Sequence, residues 1–498
     1  MDVKLIGMVD RRLKRFLKLF EDCFNRSEPR SHLETYVNGQ VSTLKRKSVE
    51  PMALKSGTPP RTLQRFLESV RWNEQRLRDR IQWIVAREHA DPNAIGLIDE
   101  SGYPKDGRHT ACADHQWCGN TGKLDNCVVV VHTGYVADDF HCILDSELFM
   151  PKSWAEDLPR RRAAYIPDDV KFRKKTEIAL GQVARALDNG LRVAAWTFDE
   201  FYGRDSKFLD ALQSMGQNYI GEVPCDFSGW LEEPRVLLRP TPQEMRKPGP
   251  RRKFPRIARK ALPVSEVRNL VKYSPVLRNQ PWHQYRIKDG EKGPVVWEVK
   301  HAEFYRKKHD GQPSQAHHLI VARNVQDPKE IKYFMSNMVP STPGITLNWL
   351  LWVGFSRHPI EQCFREGKDE LGMDHFEVRG WRSIHRHLHI SQLSHLFCAR
   401  VRQELQTKKN DRKRIPHGRD GTGGRVGGGG GARIAAVSPT DNLQTNGGED
   451  RLLPQAQPTN PQVSYKDGSA APQRHGDRRR PIALLRPARL IVRSQSDD

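Results

Sequence analysis

Two short apolar segments of the chain lead into an acidic step. Residues 94–98 (AIGLI) run into Asp99, residues 193–198 (VAAWTF) run into Asp199, and a glutamate follows each aspartate. An unbroken apolar run of this length is typical of a strand that is buried on both faces. Both aspartates are therefore predicted to lie where a buried strand reaches the surface and a ligand can reach a carboxylate.

Residues 93–225 show strand patterns first and then alternating helix and strand patterns. This order predicts a mixed sheet with helices on both faces, and thus an α/β fold. The predicted strands are 94–98, 127–132, 141–144, 193–198 and 219–223, and the predicted helices are 176–188 and 206–215.

Residues 1–92 show the spacing of amphipathic helices, with apolar side chains every three or four positions. Segments 44–54 and 59–67 flank Gly57, which is the pattern of a helix-turn-helix unit. The polar face of the second helix carries Arg61, Gln64 and Arg65. A DNA-binding domain is predicted here, and a dimerisation bundle is the alternative.

Residues 226–344 are less regular, with short strands predicted at 295–299, 318–323 and 331–336. Between Glu244 and Glu266 the segment carries no acidic residue and many basic ones, which include Arg251, Arg252 and Lys253. Such an arm is suited to a phosphate backbone, although a solvated loop has the same composition.

Residues 347–371 are predicted to form one long helix, within a segment 345–405 that returns to the sheet. Its buried stripe is predicted to consist of Ile360, Phe364 and Leu371. A separate face is predicted to consist of Arg357, Glu361, Arg365 and Lys368. An ordinary ion-paired helix surface is the alternative interpretation of that face.

The charge of the chain narrows the class of partner. With 82 Lys and Arg against 60 Asp and Glu the formal net charge is +22, which favours a polyanion. No apolar stretch is long enough for a membrane span, so no membrane partner is expected. Residues 406–498 are rich in Gly, Pro and Arg, including the run 427–431, and are predicted to be a disordered tail.

Three dispersed carboxylates, Asp99, Asp199 and Glu361, stand out in this cationic chain. Phosphodiester cleavage needs an activated oxygen nucleophile and a stabilised leaving oxygen. Two Mg²⁺ or Mn²⁺ ions supply both, and carboxylate oxygens are the ligands that such ions prefer. The three acids are thus candidates for both catalysis and metal binding.

At these residues the chain resembles the DDE transposases of bacterial insertion sequences, in the branch with a Tyr-x2-Arg-x3-Glu-x6-Lys signature. The resemblance spans about residues 40–400, and Gly354 stands at the position of the signature tyrosine. The matching segments are 97–107 (LIDESGYPKDG), 116–123 (QWCGNTGK), 148–154 (LFMPKSW), 198–203 (FDEFYG) and 375–381 (HFEVRGW).

The resemblance implies a ribonuclease-H-like mixed-sheet core, divided into parts at 93–225 and 345–405 by the β-rich insertion 226–344. It implies a metal-binding triad of Asp99, Asp199 and Glu361. Arg357 and Lys368 match the basic residues of the signature. Glu100 and Glu200, which follow the aspartates, are expected to point to the opposite strand face and are ranked second.

The function expected from this resemblance is binding of the element's terminal inverted repeats, strand cleavage, and joining of the 3′-OH to target DNA. A homodimer in the synaptic complex and a cytoplasmic, nucleoid-associated location in a bacterium are also expected. Two alternatives remain open from the sequence. One is a transposase-derived DNA-binding protein without transposition activity, and the other is a structure-selective nuclease with the same core.

Overall fold

The computed structural model describes residues 8–245, 253–290, 293–340, 342 and 344–414. Helices form the first part of this range, and their apolar positions are buried as the spacing predicts, for example at Leu13, Phe16 and Phe20. A turn at Gly57 joins the third helix to the fourth. The helices are α1 (Val9–Lys18), α2 (Ser27–Gln40), α3 (Val49–Lys55), α4 (Pro60–Glu68) and α5 (Glu74–Glu88).

A five-stranded sheet follows, as the mixed pattern of residues 93–225 predicts. Its strands are β1 (Ile95–Pro104), β2 (Asp114–Cys118), β3 (Lys123–Ala137), β4 (Phe140–Leu148) and β5 (Ala195–Thr197). The helices of this segment are α6 (Lys152–Glu156), α7 (Leu158–Ala163), α8 (Lys175–Asp188), α9 (Glu200–Gly203) and α10 (Ser206–Ser214). The strand predicted at 193–198 is shorter than expected, because the chain turns into α9 directly after Phe198.

Strand β1 lies in the middle of this sheet. It pairs antiparallel with β3 and parallel with β5, and both β2 and β4 pair with β3. Alternate residues of β1 enter different cores: Leu97 packs with Ile360 in one, and Ile98 packs with the N-terminal helices in the other. Asp99 and Glu100 therefore belong to opposite faces of the sheet.

A seven-stranded sheet contains the strands predicted in the insertion, in longer form. Its order is β10-β7-β12-β13-β14-β6, with β11 paired to β12. An isolated parallel bridge between Trp196 and Tyr219 links β5 to the chain just before β6. The strands are β6 (Ile220–Val223), β7 (Ser228–Trp230), β10 (Ser265–Glu266), β11 (His283–Gly290), β12 (Gly293–Arg306), β13 (His317–Asn324) and β14 (Ile331–Ser336).

The remaining elements of the insertion are short. Arg251 and Arg252 of the basic arm lie outside the described residues, and Lys253 is exposed. The arm then returns to the body of the protein, because β9 pairs with β8. These elements are β8 (Val236–Leu237), α11 (Pro242–Met245), β9 (Arg256–Ile257), α12 (Val267–Tyr273) and α13 (Pro275–Arg278).

The prediction of one continuous helix over 347–371 is wrong. The segment forms α14 (Leu347–Phe355), α15 (His358–Arg365) and a π-helical turn (Glu366–Glu370). Pro359 explains the first break, because a proline has no backbone N–H and is accommodated in the first turn of a helix. The predicted buried stripe is correct, since Ile360, Phe364 and Leu371 are all buried.

The last helix, α16 (Trp381–Arg414), packs against the N-terminal helices. The rings of Phe16 and Phe397 are 5.5 Å apart, and Tyr36 Oη lies 2.8 Å from His387 Nδ1. Helices α1–α5 therefore share a core with α16. Because α16 extends to Arg414, residues 406–414 are helical, which corrects the start of the tail predicted from residue 406. Residues 415–498 lie outside the described part of the chain, where the tail stays a prediction.

Among the described residues, no helix is both long enough and apolar enough to cross a membrane.

Candidate active site

Asp99 lies on β1, on the sheet face that α15 covers. Its carboxylate is nearly buried, at 12% side-chain exposure. Oδ1 accepts a hydrogen bond from the backbone N–H of Glu100 at 2.8 Å, and Oδ2 accepts one from Arg357 Nη2 at 3.2 Å. The structure thus places the guanidinium of Arg357 against this carboxylate.

Asp199 reaches the same region from the neighbouring parallel strand. It is the N-cap of α9, and its Oδ1 accepts hydrogen bonds from the N–H groups of Phe201 and Tyr202 at 3.1 and 3.3 Å. Parallel strands end at the same edge of a sheet, so the residues that follow β5 come near those of β1. The structure therefore brings the two predicted aspartates near each other, although Asp199 caps a helix instead of ending a strand.

The pKa of Asp99 reflects its burial beside other charged groups. Burial raises the pKa of Asp99 to about 7, with the negative charge of Asp199 adding to the rise and Arg357 opposing it. A carboxylate under such conditions is strongly stabilised by any additional cation. Its environment is therefore suited to a positively charged ligand.

Glu222 on β6 is a fourth acid at this site, which sequence reasoning did not identify. Its Oε2 lies 3.6 Å from Arg357 Nη1, so one guanidinium bridges Glu222 and Asp99. Lys332 on β14 also pairs with Glu222, at 3.2 Å. The signal was available in the sequence, since Glu222 lies in the predicted strand 219–223 that follows the second aspartate.

Glu361 lies in the first turn of α15, one helical turn after Arg357. Gly134 lets this helix approach the sheet closely, because a Cβ at Gly134 would come within 2.7 Å of Ile360 Cδ1. Glu361 itself is exposed. In the part of the chain that the structure describes, no three His, Cys, Asp or Glu side chains are grouped so that they could hold a metal ion together.

Glu100 and Glu200 have different surroundings from the aspartates. Glu100 accepts hydrogen bonds on the other sheet face, from Lys175 Nζ at 2.5 Å and from Tyr202 Oη at 3.3 Å. Glu200 is exposed at the start of α9. Glu100 therefore lies on the sheet face opposite Asp99, as the alternation of a strand predicts, whereas Glu200 belongs to α9 and has no strand face.

The other basic residues of α15 and its following turn have distinct positions. Lys368 Nζ lies 3.3 Å from Asn120 Oδ1 and 5.4 Å from the ring centroid of Tyr103. Arg365 is exposed. Gly354 is buried against the second sheet, where an added Cβ would lie 3.2 Å from Phe334 and 3.3 Å from Ile220. A tyrosine at position 354 would therefore require these strands to move.

The candidate DNA-reading residues lie on the outer face of α4. Arg61 and Arg65 are exposed and Gln64 is partly exposed, as the spacing predicts. Arg61 Nη1 lies 3.1 Å from Glu68 Oε2 and 3.3 Å from Gln64 Oε1. This face is accessible, and its arginine is already ordered by partners on the same helix.

The donor chemistry of Asp99 and Asp199 fits a hard divalent cation, because both are carboxylates and burial disfavours the ionised form of Asp99 unless a cation lies beside it. Arg357 supplies that positive charge in this structure. Glu361 is placed to approach the pair from α15, but it does not form a three-residue metal group with them among the described residues.

Comparisons with known proteins identify the family of the chain. A family model described as "DDE superfamily endonuclease" matches residues 19–294, a span that contains both aspartates. Because the match covers more than half of the chain, the protein belongs to this superfamily of endonucleases. Members of the superfamily generally use divalent metal ions.

The chain is also similar to a protein of Microchaete diplosiphon described as a probable transposase for insertion sequence element IS701. The two are 30% identical over 185 residues, which is 36% of this chain and 46% of that protein. The chain therefore spans about half the length of the curated relative that it matches. The resemblance to DDE transposases of insertion sequences that the motifs indicate is confirmed.

Proposed function

We propose that this protein is a transposase that binds the ends of its insertion sequence, cleaves the DNA strands and joins the free 3′-OH to target DNA. The observation that supports this most is the pair of neighbouring aspartates, Asp99 on β1 and Asp199 just after the parallel strand β5. One of them is buried, with a pKa raised to about 7. The family to which the chain belongs acts on the same bond.

We infer a ribonuclease-H-like core for the same reason. Three antiparallel strands, β1, β3 and β4, are followed by β5, which pairs parallel to β1. The bridge from Trp196 to Tyr219 continues the parallel order towards β6. Asp99 lies on the central strand of this arrangement, and Asp199 follows its parallel neighbour β5 as the N-cap of α9, which supports the proposed chemistry.

In this proposal Asp99 and Asp199 hold divalent metal ions, with Glu361 as a further ligand. Two Mg²⁺ or Mn²⁺ ions would activate the attacking oxygen and stabilise the leaving oxygen of the phosphodiester. Arg357, Arg365 and Lys368 would bind the phosphates on either side of the reacting bond, because all three lie on the segment that carries Glu361.

DNA is the proposed partner of two further regions. The exposed face of α4 would read the terminal inverted repeats, and the basic arm with Arg251, Arg252 and Lys253 would follow the phosphate backbone. A homodimer in the synaptic complex and a cytoplasmic, nucleoid-associated location complete the proposal.

The direct test uses the purified full-length chain and labelled DNA that carries the sequences flanking its coding region. With Mg²⁺ the protein should cut at the borders of the inverted repeats and transfer the cut ends to a plasmid. Cutting without preference for those borders would instead support a structure-selective nuclease.

A second candidate function is a DNA-binding protein derived from a transposase. The observation that favours it is the ion pair between Arg357 and Asp99, in which the arginine, and not a metal ion, lies beside the carboxylate. Among the described residues, no three acidic, histidine or cysteine side chains are grouped so that they could hold a metal ion. Specific binding to the element's ends without any Mg²⁺-dependent cutting would support this candidate.

Sequence-specific binding should depend on α4. Replacing Arg61 by alanine should weaken binding to the element's ends about 5- to 100-fold and leave binding to scrambled DNA almost unchanged, because an arginine contact to a base edge contributes ~1–3 kcal/mol of discrimination. Gel shifts of the full-length protein with both DNAs measure this. The full chain is needed, since helices α1–α5 share their core with α16.

Arg11→Ala is a matched control for this test, since Arg11 is exposed on α1, away from the face of α4. Equal weakening of both DNAs by Arg61→Ala would show that α4 contributes only charge. Gln64→Ala and Arg65→Ala should behave as Arg61→Ala does if the whole face reads bases.

The basic arm should contribute to the salt dependence of binding. Replacing Arg251, Arg252, Lys253 and Arg259 by glutamine should reduce the slope of log affinity against log salt by roughly 3–4, at about 0.9 for each phosphate that the arm no longer neutralises. The measurement is a titration of fluorescent DNA at several salt concentrations.

The control removes the same charge from exposed positions elsewhere, namely Arg192, Lys207, Arg278 and Lys329. An equal change of slope in both variants would show that the arm acts only through net charge.

A further inference from the structure

Glu366 is the first residue of the π-helical turn that follows α15, so it lies in the chain between Glu361 and Lys368. Its side chain is mostly buried, at 24% exposure. The proposed function gives a role to Glu361 and to Lys368, but none to the carboxylate between them. A carboxylate that is largely removed from water needs partners that offset its lost hydration.

The carboxylate of Glu366 is contacted from three elements. Gln362 Nε2 on α15 and Arg402 Nη1 on α16 donate hydrogen bonds to its Oε1, at 2.8 and 2.7 Å. His141 Nε2 on β4 lies 3.2 Å from Oε1, and His395 Nε2 on α16 lies 3.2 Å from Oε2. One carboxylate thus connects the end of α15 to strand β4 and to the last helix.

The partners of Glu366 also contact one another. Arg402 Nη2 donates a hydrogen bond to the backbone oxygen of His141 at 3.3 Å, and His395 is only 1% exposed. Burial alone would raise the pKa of Glu366, but its contacts with His141 and His395 hold that pKa well below its ordinary value. Glu366 is therefore ionised at neutral pH, and its bond with Arg402 is a charge-assisted one.

The π-helical turn affects the direction of the side chains around it. Seven residues of a regular α-helix make about two turns, so Glu361 and Lys368 would share one face of an unbroken helix. A π-helical turn is wider, because its hydrogen bonds join residues five apart, and it rotates the residues that follow it. Lys368 Nζ lies 3.3 Å from Asn120 Oδ1, on the loop between β2 and β3. The wide turn therefore decides where Lys368 lies relative to Glu361.

Contacts at both ends hold α15 against the sheet. Near its start, Ile360 packs closely over Gly134 on β3. Directly after its end, Glu366 contacts His141 on β4, the strand that pairs with β3. Glu361 lies between these two contacts. Loss of either contact would allow the helix that carries Glu361 to shift on the sheet.

We propose that Glu366 is a positioning residue for strand cleavage, which holds α15 and the turn after it so that Glu361 and Lys368 lie where the reaction uses them. Glu366 acts through its contacts with β4 and α16, and it binds neither the DNA nor a metal ion. The inference rests on the proposed function, because it takes the role of Glu361 from it.

The first test is the rate at which Glu366→Gln cuts labelled element ends, measured with the full-length chain at saturating protein and Mg²⁺. The amide keeps the size of the side chain and removes its charge. The rate should fall about 10- to 100-fold, because a displacement of about 1 Å at the reacting groups has an effect of this size. The affinity for the same ends should stay close to that of the parent protein, since the DNA-binding surface is intact.

Two variants control for the loss of a carboxylate. Glu298→Gln removes the partner of Arg323 from the seven-stranded sheet, where the two side chains are 22% and 28% exposed. These values are close to the 24% and 27% of Glu366 and Arg402. Asp369→Asn removes an exposed acid from the same π-helical turn. Both variants should cut at the rate of the parent protein.

Mg²⁺ binding provides a readout that does not depend on cutting. A ligand that binds only the folded state raises the melting temperature, and it does so more when its affinity is higher. The rise caused by Mg²⁺ should be smaller in Glu366→Gln than in the parent protein or in Glu298→Gln. Adding Glu366→Gln to Glu361→Gln should reduce it no further, because residues that act through one another are not additive.

Variants of Arg402 test the same contact from the other side and serve if Glu366→Gln does not fold. Arg402→Lys keeps the charge, but an ammonium group lacks the planar fork with which the guanidinium contacts both Glu366 and His141. It should cut more slowly than the parent protein and faster than Arg402→Gln. Both variants should bind the element's ends as the parent protein does.

Cutting at the parent rate by folded Glu366→Gln would overturn the inference, as would an equal loss of rate in Glu298→Gln. A loss that disappears at saturating protein would also overturn it, because it would assign Glu366 to DNA binding. If the parent protein does not cut element ends, the proposed function fails, and the melting temperatures still decide on Glu366. An equal Mg²⁺ shift in Glu366→Gln and in the parent protein would then overturn the inference.

Discussion

Replacing Asp99 or Asp199 by asparagine is expected to lower Mg²⁺-dependent DNA cleavage by at least about a thousand-fold, because loss of one metal ligand removes several kcal/mol of transition-state stabilisation. Glu361→Gln should have an effect of similar size. The measurement is the rate of cutting of labelled element ends at saturating protein. Binding to the same ends should change little, since the cationic surface is intact.

Glu200→Gln is the matched control, because Glu200 is an exposed carboxylate directly beside Asp199. It should cut at the rate of the parent protein. Full activity of Asp199→Asn would falsify the assignment of the aspartates. Full activity of Glu361→Gln alone would instead indicate that Glu222, the fourth acid of the site, is the third metal ligand.

Replacing Arg357 by alanine is expected to destabilise the metal-free protein by about 2–4 kcal/mol. The change leaves Asp99 and Glu222 without the guanidinium that bridges them, and removal of one partner from a buried ion pair has a cost of this order. Mg²⁺ should then raise the melting temperature of the variant more than that of the parent protein, because a bound cation replaces the missing positive charge.

Thermal unfolding in EDTA and in Mg²⁺ measures both effects. Arg357→Lys keeps the charge and should lie between the parent protein and Arg357→Ala. Adding Asp99→Asn to Arg357→Ala should abolish the extra stabilisation by Mg²⁺. The same Mg²⁺ shift in Arg357→Ala and in the parent protein would contradict the view that the arginine and the metal serve the same carboxylates.

The ion pair of Arg357 also explains how a site with several acids is stable without metal. The pKa of Asp99 is raised mainly by burial and further by the negative charge of Asp199, and Arg357 opposes both effects. The same guanidinium lies 3.6 Å from Glu222, so Arg357 offsets the repulsion among these acids. Arg357 lies one turn before Glu361, so a movement of α15 that withdraws the arginine would also reposition the glutamate.

Much of the fold could be predicted from local pattern. Strands β1, β3, β4 and β5 of the central sheet and helix α8 follow runs of apolar residues whose period is set by the backbone, and they occur where the pattern predicts them. Strand β2 was not predicted, and the predicted strand 219–223 belongs to the other sheet. The break between α14 and α15 could also have been predicted locally, from Pro359. It was missed because the apolar stripe continues across the break and resembles that of one long helix. The extension of α16 to Arg414 does not follow from the pattern, because the apolar stripe that marks a helix is weak in its last turns.

The sequence by itself determined the class of protein, the position of Asp99 on a strand and of Asp199 just after one, and the preference for a polyanion, because each of these depends on residue type and short-range spacing. The tertiary structure alone decided that Glu222 joins the site, that Arg357 bridges two acids, and that α1–α5 share a core with α16. Contacts between residues hundreds of positions apart depend on how helices and sheets pack, and no local pattern in a single sequence records that packing.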